Sequence, residues 1–198
     1  MYFIDCIYFK DAHFNRQLVV SPDGAKIQYQ EDNDIVLIEW DIPIVNQGDQ
    51  NIEVCFILCE KIFKIIRDNP IIIIFQDRIE SLTTSFYFKM SDHLSWDTWI
   101  PRVTCIMKVP VIDFLEQDTV TLQVQEQKLC IKDGPDVIYK FQTFFMFEEH
   151  SINVQTFYLQ DVFTKHTGKV CKLYIHEESP VCIELFEGPR IFIAPVIV

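Results

Sequence analysis

The chain has 198 residues, 49% of them hydrophobic and 14% aromatic, with 29 acidic against 17 basic side chains and a formal net charge of -12. That is too apolar for a disordered chain and long enough for one large or two small folded domains. Only five glycines occur, spread from Gly24 to Gly188, so no Walker A or GxGxxG loop exists, and nucleotide hydrolysis or dinucleotide redox chemistry by the usual routes is excluded.

The longest apolar runs, such as Ile71–Phe75, fall far short of the roughly 20 residues that a membrane span needs, and a soluble protein is expected. Met1-Tyr2-Phe3-Ile4-Asp5 has neither the basic region nor the small-residue cleavage site of a signal peptide, so no secretion is implied. The seven cysteines are an odd number and sit mostly inside apolar runs, which predicts reduced core residues in a reducing compartment.

In chain order, short runs rich in Ile, Val, Phe and Tyr predict strands over Ile35–Trp40, Ile71–Phe75, Ser85–Met90, Thr119–Val124, Val137–Phe147, Val170–Ile175, Val181–Phe186 and Ile191–Val198. Two segments break that rhythm. In Leu58–Arg67 the apolar Leu58, Ile62, Ile65 and Ile66 recur at helical spacing while Lys61 and Lys64 share the other face, and in Phe157–His166 Leu159, Val162 and Phe163 repeat the pattern. The prediction is a sheet-dominated α+β protein with few, short helices.

A shift of 100 residues lays Val54, Ile62, Phe63, Ile71, Ile73 and Phe75 over Val154, Val162, Phe163, Cys171, Leu173 and Ile175 without a gap. A shift of 102 lays Ile27, Tyr29, Ile35 and Leu37 over Leu129, Ile131, Val137 and Tyr139, with polar turns Gln30–Asp34 and Lys132–Asp136 between them. Each half then reads hairpin, strand, helix, strand, the mark of a duplication. Ser91–Val103 lies between the halves with no strand periodicity, which predicts domains over 1–90 and 104–198 joined by a segment 91–103. Its Leu94, Trp96, Trp99 and Ile100 do not suit a freely solvated tether, and either pack on the protein's own sheet or meet a partner.

Two tandem domains, an acidic balance and a connecting segment resemble the eukaryotic and archaeal sliding clamps, the proliferating cell nuclear antigen family. Tyr158-Leu159-Gln160-Asp161-Val162-Phe163-Thr164-Lys165-His166-Thr167 is similar to the family's last helix, Tyr-Leu…Phe-Thr-Lys-x-Thr, and Ile193-Ala194-Pro195-Val196-Ile197 to its Leu-Ala-Pro-Lys-Ile ending. Gly24–Ile38 resembles its Gly-x-x-Leu-Gln hairpin, Glu60-Lys61-Ile62-Phe63-Lys64 its Ser-Lys-Ile-Leu-Lys helix, and Ile100-Pro101 with Cys105-x-x-Lys108-Val109-Pro110 its connecting loop and the start of its second domain. The chain is shorter than typical members. The losses are expected in a short first helix before Gly24, a shortened helix near Val111–Gln117, and a strand missing between Phe75 and Ser85.

The resemblance implies a ring of subunits, a homotrimer in the nucleus, that encircles duplex DNA and tethers DNA polymerase and other replication and repair proteins after placement by a clamp loader. Lys61 and Lys64, with Arg67, Lys165 and Lys169, would face phosphates; lysine suits sliding because it acts as a hydrated point charge without base readout. Asp113 and Glu116 stand where basic residues are usual. A client-peptide pocket would be formed by Gln30, Ile35, Leu37, Ile100, Pro180, Phe192, Ala194, Pro195 and Val196, each buried aromatic anchor contributing about 1.5–3 kcal/mol. Ring closure would pair edge strands, with Thr84, Phe86 and Phe88 of one subunit meeting Val137, Tyr139 and Phe141 of the next.

The alternatives are a subunit of a heterotrimeric checkpoint-type clamp, a ring-less viral processivity factor, or an interaction module without a DNA role. An enzyme is not expected. Cys55-x3-Cys59 lacks a second pair at zinc spacing, the clusters Glu148-Glu149-His150 and His176-Glu177-Glu178 read as solvated turns, and neither HExxH nor GxSxG occurs. No catalytic residue, metal or cofactor is assigned.

Overall fold

The computed structural model describes residues 1–9, 16–31, 36–46, 53–91, 102–113, 116–177 and 179–196. They fall into two units, Met1–Tyr29 with Glu39–Ser95 and Gln30–Ile38 with Trp96–Val198. Only Ser91, Arg102 and Val103 of the expected connecting segment 91–103 are among the described residues.

The first half of the chain runs β1 (Tyr2–Asp5), a 3-10 turn at Cys6–Phe9, β2 (Gln17–Ser21), β3 (Gly24–Glu31), β4 (Val36–Ile42), β5 (Ile44–Asn46), β6 (Val54–Ile57), α1 (Glu60–Asp68), β7 (Ile71–Ile74), β8 (Arg78–Glu80) and β9 (Ser85–Tyr87). The division between the units crosses the β3–β4 hairpin. In the first unit the strand order is β5-β1-β7-β8-β9, and β2 pairs with β3 on one side and β6 on the other.

The second half runs β10 (Cys105–Lys108), β11 (Thr119–Gln125), β12 (Lys128–Asp133), β13 (Asp136–Gln142), β14 (Phe145–Met146), β15 (His150–Gln155), α2 (Thr156–His166), β16 (Val170–Tyr174), β17 (Val181–Leu185) and β18 (Arg190–Ile193). Within it the orders are β14-β10-β16-β17-β18 and β13-β12-β11-β15. The pairings repeat those of the first unit. β10 holds β14 and β16 as β1 holds β5 and β7, and β11 holds β12 and β15 as β2 holds β3 and β6. In both units a helix links the strand at the end of one set to a central strand of the other, α1 from β6 to β7 and α2 from β15 to β16. The protein is α+β, built of two similar sheet-rich domains.

Local chemistry explains these elements. β11 alternates half-buried Thr121 and Gln123 with buried Val120, Leu122 and Val124, the period of two that seats one face on a core. Helix α1 buries Ile62, Ile65 and Ile66 on one face, each contributing about 1.5–3 kcal/mol. Glu60 in its first turn and Arg67 in its last suit the helix dipole. The Asn69 side-chain amide donates to the Ile65 carbonyl at 2.7 Å and Pro70 stops the helix. Helix α2 ends similarly, with the Thr167 hydroxyl on the Phe163 carbonyl at 2.7 Å and Gly168 at a φ of +79°. Tyr2, Leu18, Phe56 and Ile72 fill the core of the first unit, and Leu122, Leu159, Leu173 and Phe192 are buried in the second.

Three expectations are corrected. The strand thought missing between Phe75 and Ser85 is present as β8; it has only three residues, and its one apolar side chain, Ile79, is fully buried between an Arg78 and a Glu80 that pair at 2.7 Å. The shortened helix near Val111–Gln117 is not formed by the described residues there, which are neither helix nor strand; Val109 instead ties the segment down, its N–H donating to the Lys169 carbonyl at 2.8 Å. The single run Val137–Phe147 is two strands, β13 and β14, because the chain turns at buried Thr143, whose N–H donates to the Gln127 carbonyl at 3.0 Å. Before Gly24, the 3-10 turn at Cys6–Phe9 is the only helical structure among the described residues.

Candidate functional site

Helix α1 places Lys61, Lys64 and Arg67 on its exposed face, because the three isoleucines at helical spacing take the other. Arg67 is engaged by Asp68 at 3.3 Å, whereas Lys61 and Lys64 have no carboxylate partner among the described residues. The face of α2 is weaker in charge. Asp161 stands where the 100-residue repeat has Lys61, and it pairs with Lys165 at 2.7 Å. The Lys169 ammonium lies 3.4 Å from Nδ1 of His166, whose pKa is lowered by burial and by the charges of Lys169 and Lys165. The sequence treated Lys165 as one more basic residue; the i, i+4 carboxylate that offsets it is visible in the same helix and was the missed signal.

The edge strands expected to close a ring are edges. β9 ends the order β5-β1-β7-β8-β9, and β13 ends β13-β12-β11-β15. Thr84 is exposed, Phe86 half-buried, and Phe88 stacks on Phe56 with ring centroids 4.1 Å apart, so it belongs to the core side of its unit. Exposed Ile57, Tyr87 and Met90 line a groove of about 710 Å³ beside β9, unforeseen because Ile57 comes from a run distant in sequence from the Ser85–Met90 run that supplies the other two. On β13, Val137 is exposed while Tyr139 and Phe141 are half-buried and stack on each other at 5.7 Å. Exposed Ile138 was also missed.

The residues expected to form a peptide pocket divide. Leu37 and Phe192 are 0% and 1% exposed and act as core. Gln30, Pro180, Ala194, Pro195 and Val196 are half-buried. Ile35 and Ile100 lie outside the described residues. Pro195 and Val196 wall a cleft of about 360 Å³ with Thr121, Ser151, Asn153 and Glu177. Pro195 bridges to Val154 in antiparallel fashion, and the Thr121 hydroxyl donates to Asn153 Oδ1 at 2.6 Å. Thr121 on β11 and Asn153 on β15 carry no motif, only the period-two alternation that leaves them half-buried.

Burial pushes the thiols of Cys105 and Cys171 up to about 12, so both stay protonated at neutral pH, and all seven cysteines are free. The two acidic-histidine segments meet, with His150 Nε2 3.0 Å from Glu148 and the rings of His150 and His176 5.8 Å apart, but no group of three or more candidate ligands among the described residues is placed to hold a metal ion.

No protein-family model matches the sequence, and no curated protein matches it by sequence. Solved structures do match. The DNA polymerase sliding clamp of Bacillus subtilis superposes with a TM-score of 0.63 at 13% identity, covering 100% of this chain and 64% of that one. The fold is that of the DNA sliding clamps. PCNA from Thermococcus kodakaraensis gives a TM-score of 0.57 at 11% identity over 99% of this chain and 100% of its own. A. fulgidus PCNA, solved with the C-terminal region of FEN-1 bound, gives 0.54 at 11% identity over 100% of this chain and 99% of its own. The chain thus spans about two thirds of the bacterial clamp it matches, while aligning with nearly the whole of either PCNA chain. It is a shortened and divergent version of the clamp fold.

Proposed function

We propose that this chain is a subunit of a DNA sliding clamp, a non-enzymatic ring that encircles duplex DNA and holds DNA polymerase and other DNA-acting proteins on their template. The observation that carries the reading is the exposed Lys61 and Lys64 pair on α1, without carboxylate partners among the described residues, in a fold whose solved examples are clamps. A net charge of -12 opposes wrapping of DNA by the outer surface and fits a ring that is basic only where it meets the duplex. In this reading β9 of one copy pairs with β13 of the next to close a homotrimer, a loader places the ring at sites of nuclear DNA synthesis, and client peptides dock at the cleft walled by Pro195 and Val196.

Topology gives a test that needs no loader. On linear duplex with open ends the ring should thread on and be trapped when streptavidin then blocks both ends; on duplex blocked beforehand it should not load. Retention that is equal in both cases would mean plain electrostatic binding, and no retention in either would remove the DNA role.

The Asp161–Lys165 pair favours one second reading, a ring of unlike subunits in which partners supply the charge that α2 lacks. That chain would thread only when mixed with its partner subunits.

A further inference from the structure

After β13 the chain leaves its four-stranded sheet, turns at Thr143 and becomes β14, the last strand of the order β14-β10-β16-β17-β18. Three phenylalanines within four residues face outward there, Phe144 50%, Phe145 63% and Phe147 60% exposed. Single exposed apolar side chains are ordinary, but a cluster on an edge strand marks a contact surface. Glu126, Glu148 and Glu149 gather beside this segment, while Lys128, opposite Gln142, lies on the other side of the Thr143 turn. The Glu126 backbone N–H donates to Glu149 Oε1 at 3.5 Å, which places the Glu149 carboxylate beside Glu126, and Glu148, 3.0 Å from His150 Nε2, adjoins the last phenylalanine. No Lys or Arg occurs between Lys140 and Lys165.

We propose that β14 is a docking edge for an extended peptide segment of another protein, with basic and apolar residues in alternation. The peptide adds as a strand beside β14, rests its apolar side chains on Phe145 and Phe147, and sets lysine or arginine against Glu126, Glu148 and Glu149. Backbone hydrogen bonds along the outer edge of β14, which pairs with no strand among the described residues, and burial of the phenyl rings supply affinity, and the acidic rim selects the partner. A second copy of this chain is a poor occupant, because a twofold contact through this edge would bring two sets of three carboxylates together in an already acidic protein. The acidic rim likewise repels nucleic acid. The surface shares no residue with the cleft at Pro195, and the proposal stands independently of the clamp reading.

The test is fluorescence anisotropy with two labelled ten-residue peptides, one alternating lysine and valine, the other glutamate and valine. The lysine peptide is expected to bind, to bind at least tenfold more weakly to the Phe145→Ser/Phe147→Ser variant and at raised salt, and to bind normally to Phe157→Ser, which removes a different exposed phenylalanine on α2. Amide exchange over Phe144–Phe147 should slow when it binds. Equal binding of both peptides, wild-type binding by the double serine variant, or a fall in solution mass on making that variant would overturn the proposal, the last in favour of a second copy. Should the serine variant lose its folded circular dichroism, Glu148→Lys/Glu149→Lys carries the same test, with loss of the lysine peptide expected and retention contradicting the assignment.

Discussion

Val196 donates its backbone N–H to the carbonyl of Asn153 at 2.9 Å, next to the bridge between Val154 and Pro195. The segment after β18 is therefore held on the edge of β15 and forms one wall of the 360 Å³ cleft. In the clamp reading this wall receives client peptides. A peptide from the C-terminal region of FEN-1 should bind, and Pro195→Asp, which places a charge in an apolar wall, should weaken it about tenfold, or ~1.4 kcal/mol. Isothermal titration measures both; an unchanged affinity would move the client site elsewhere.

Lys61→Glu/Lys64→Glu should reduce trapping on end-blocked linear DNA while leaving the melting temperature nearly unchanged, since both side chains are exposed and their helix is held by Ile62, Ile65 and Ile66. If each lysine neutralises one phosphate, the slope of log affinity against log salt should flatten by about two. A slope equal to that of the wild type would take both residues out of the DNA contact.

The second unit offers the converse experiment. Asp161→Asn removes the carboxylate 2.7 Å from Lys165 and leaves a net positive helix end. DNA retention should rise, at a stability cost of about 0.3–0.5 kcal/mol for an exposed i, i+4 pair. Retention that falls or stays constant would show that α2 does not face DNA.

On β16 and β17, the Tyr174 hydroxyl donates to the Glu184 carboxylate and the Lys172 ammonium lies 3.2 Å from the same oxygen. Burial pushes the Glu184 carboxyl up, but the bonds from Tyr174 and Lys172 and the charges of Lys172 and Arg190 outweigh it and hold the pKa below the ordinary value. A carboxyl depressed in the folded state stabilises above its unfolded pKa, and that contribution is lost as pH falls through the folded value. Tyr174→Phe should raise the carboxyl midpoint seen by NMR and make acid unfolding less steep; an unmoved midpoint would contradict the assignment.

Much of this fold was legible because a duplication states its pattern twice. Leu58–Arg67 and Phe157–His166 became α1 and α2 within two residues at each end, and the runs at Ile71 and Val170 became equivalent strands β7 and β16. Short strands with few apolar residues were harder. β8 offers a single apolar residue, Ile79, and β1 and β10 hold only two fully buried side chains each, too few to show a period. At the candidate sites the sequence named the right segments but not which way their side chains face. Leu37 and Phe192 are as apolar as any pocket residue, and only packing reveals that they are interior. Likewise Lys165 reads as a free cation until the helical turn sets Asp161 beside it.

The most direct test of the central claim is absolute mass in solution by light scattering at several protein concentrations and moderate salt. A ring closed by β9 and β13 predicts a stable species at three times the 23.4 kDa chain, about 70 kDa, that Tyr139→Pro in β13 breaks into monomers. A 23.4 kDa monomer at every concentration would contradict the self-closing ring.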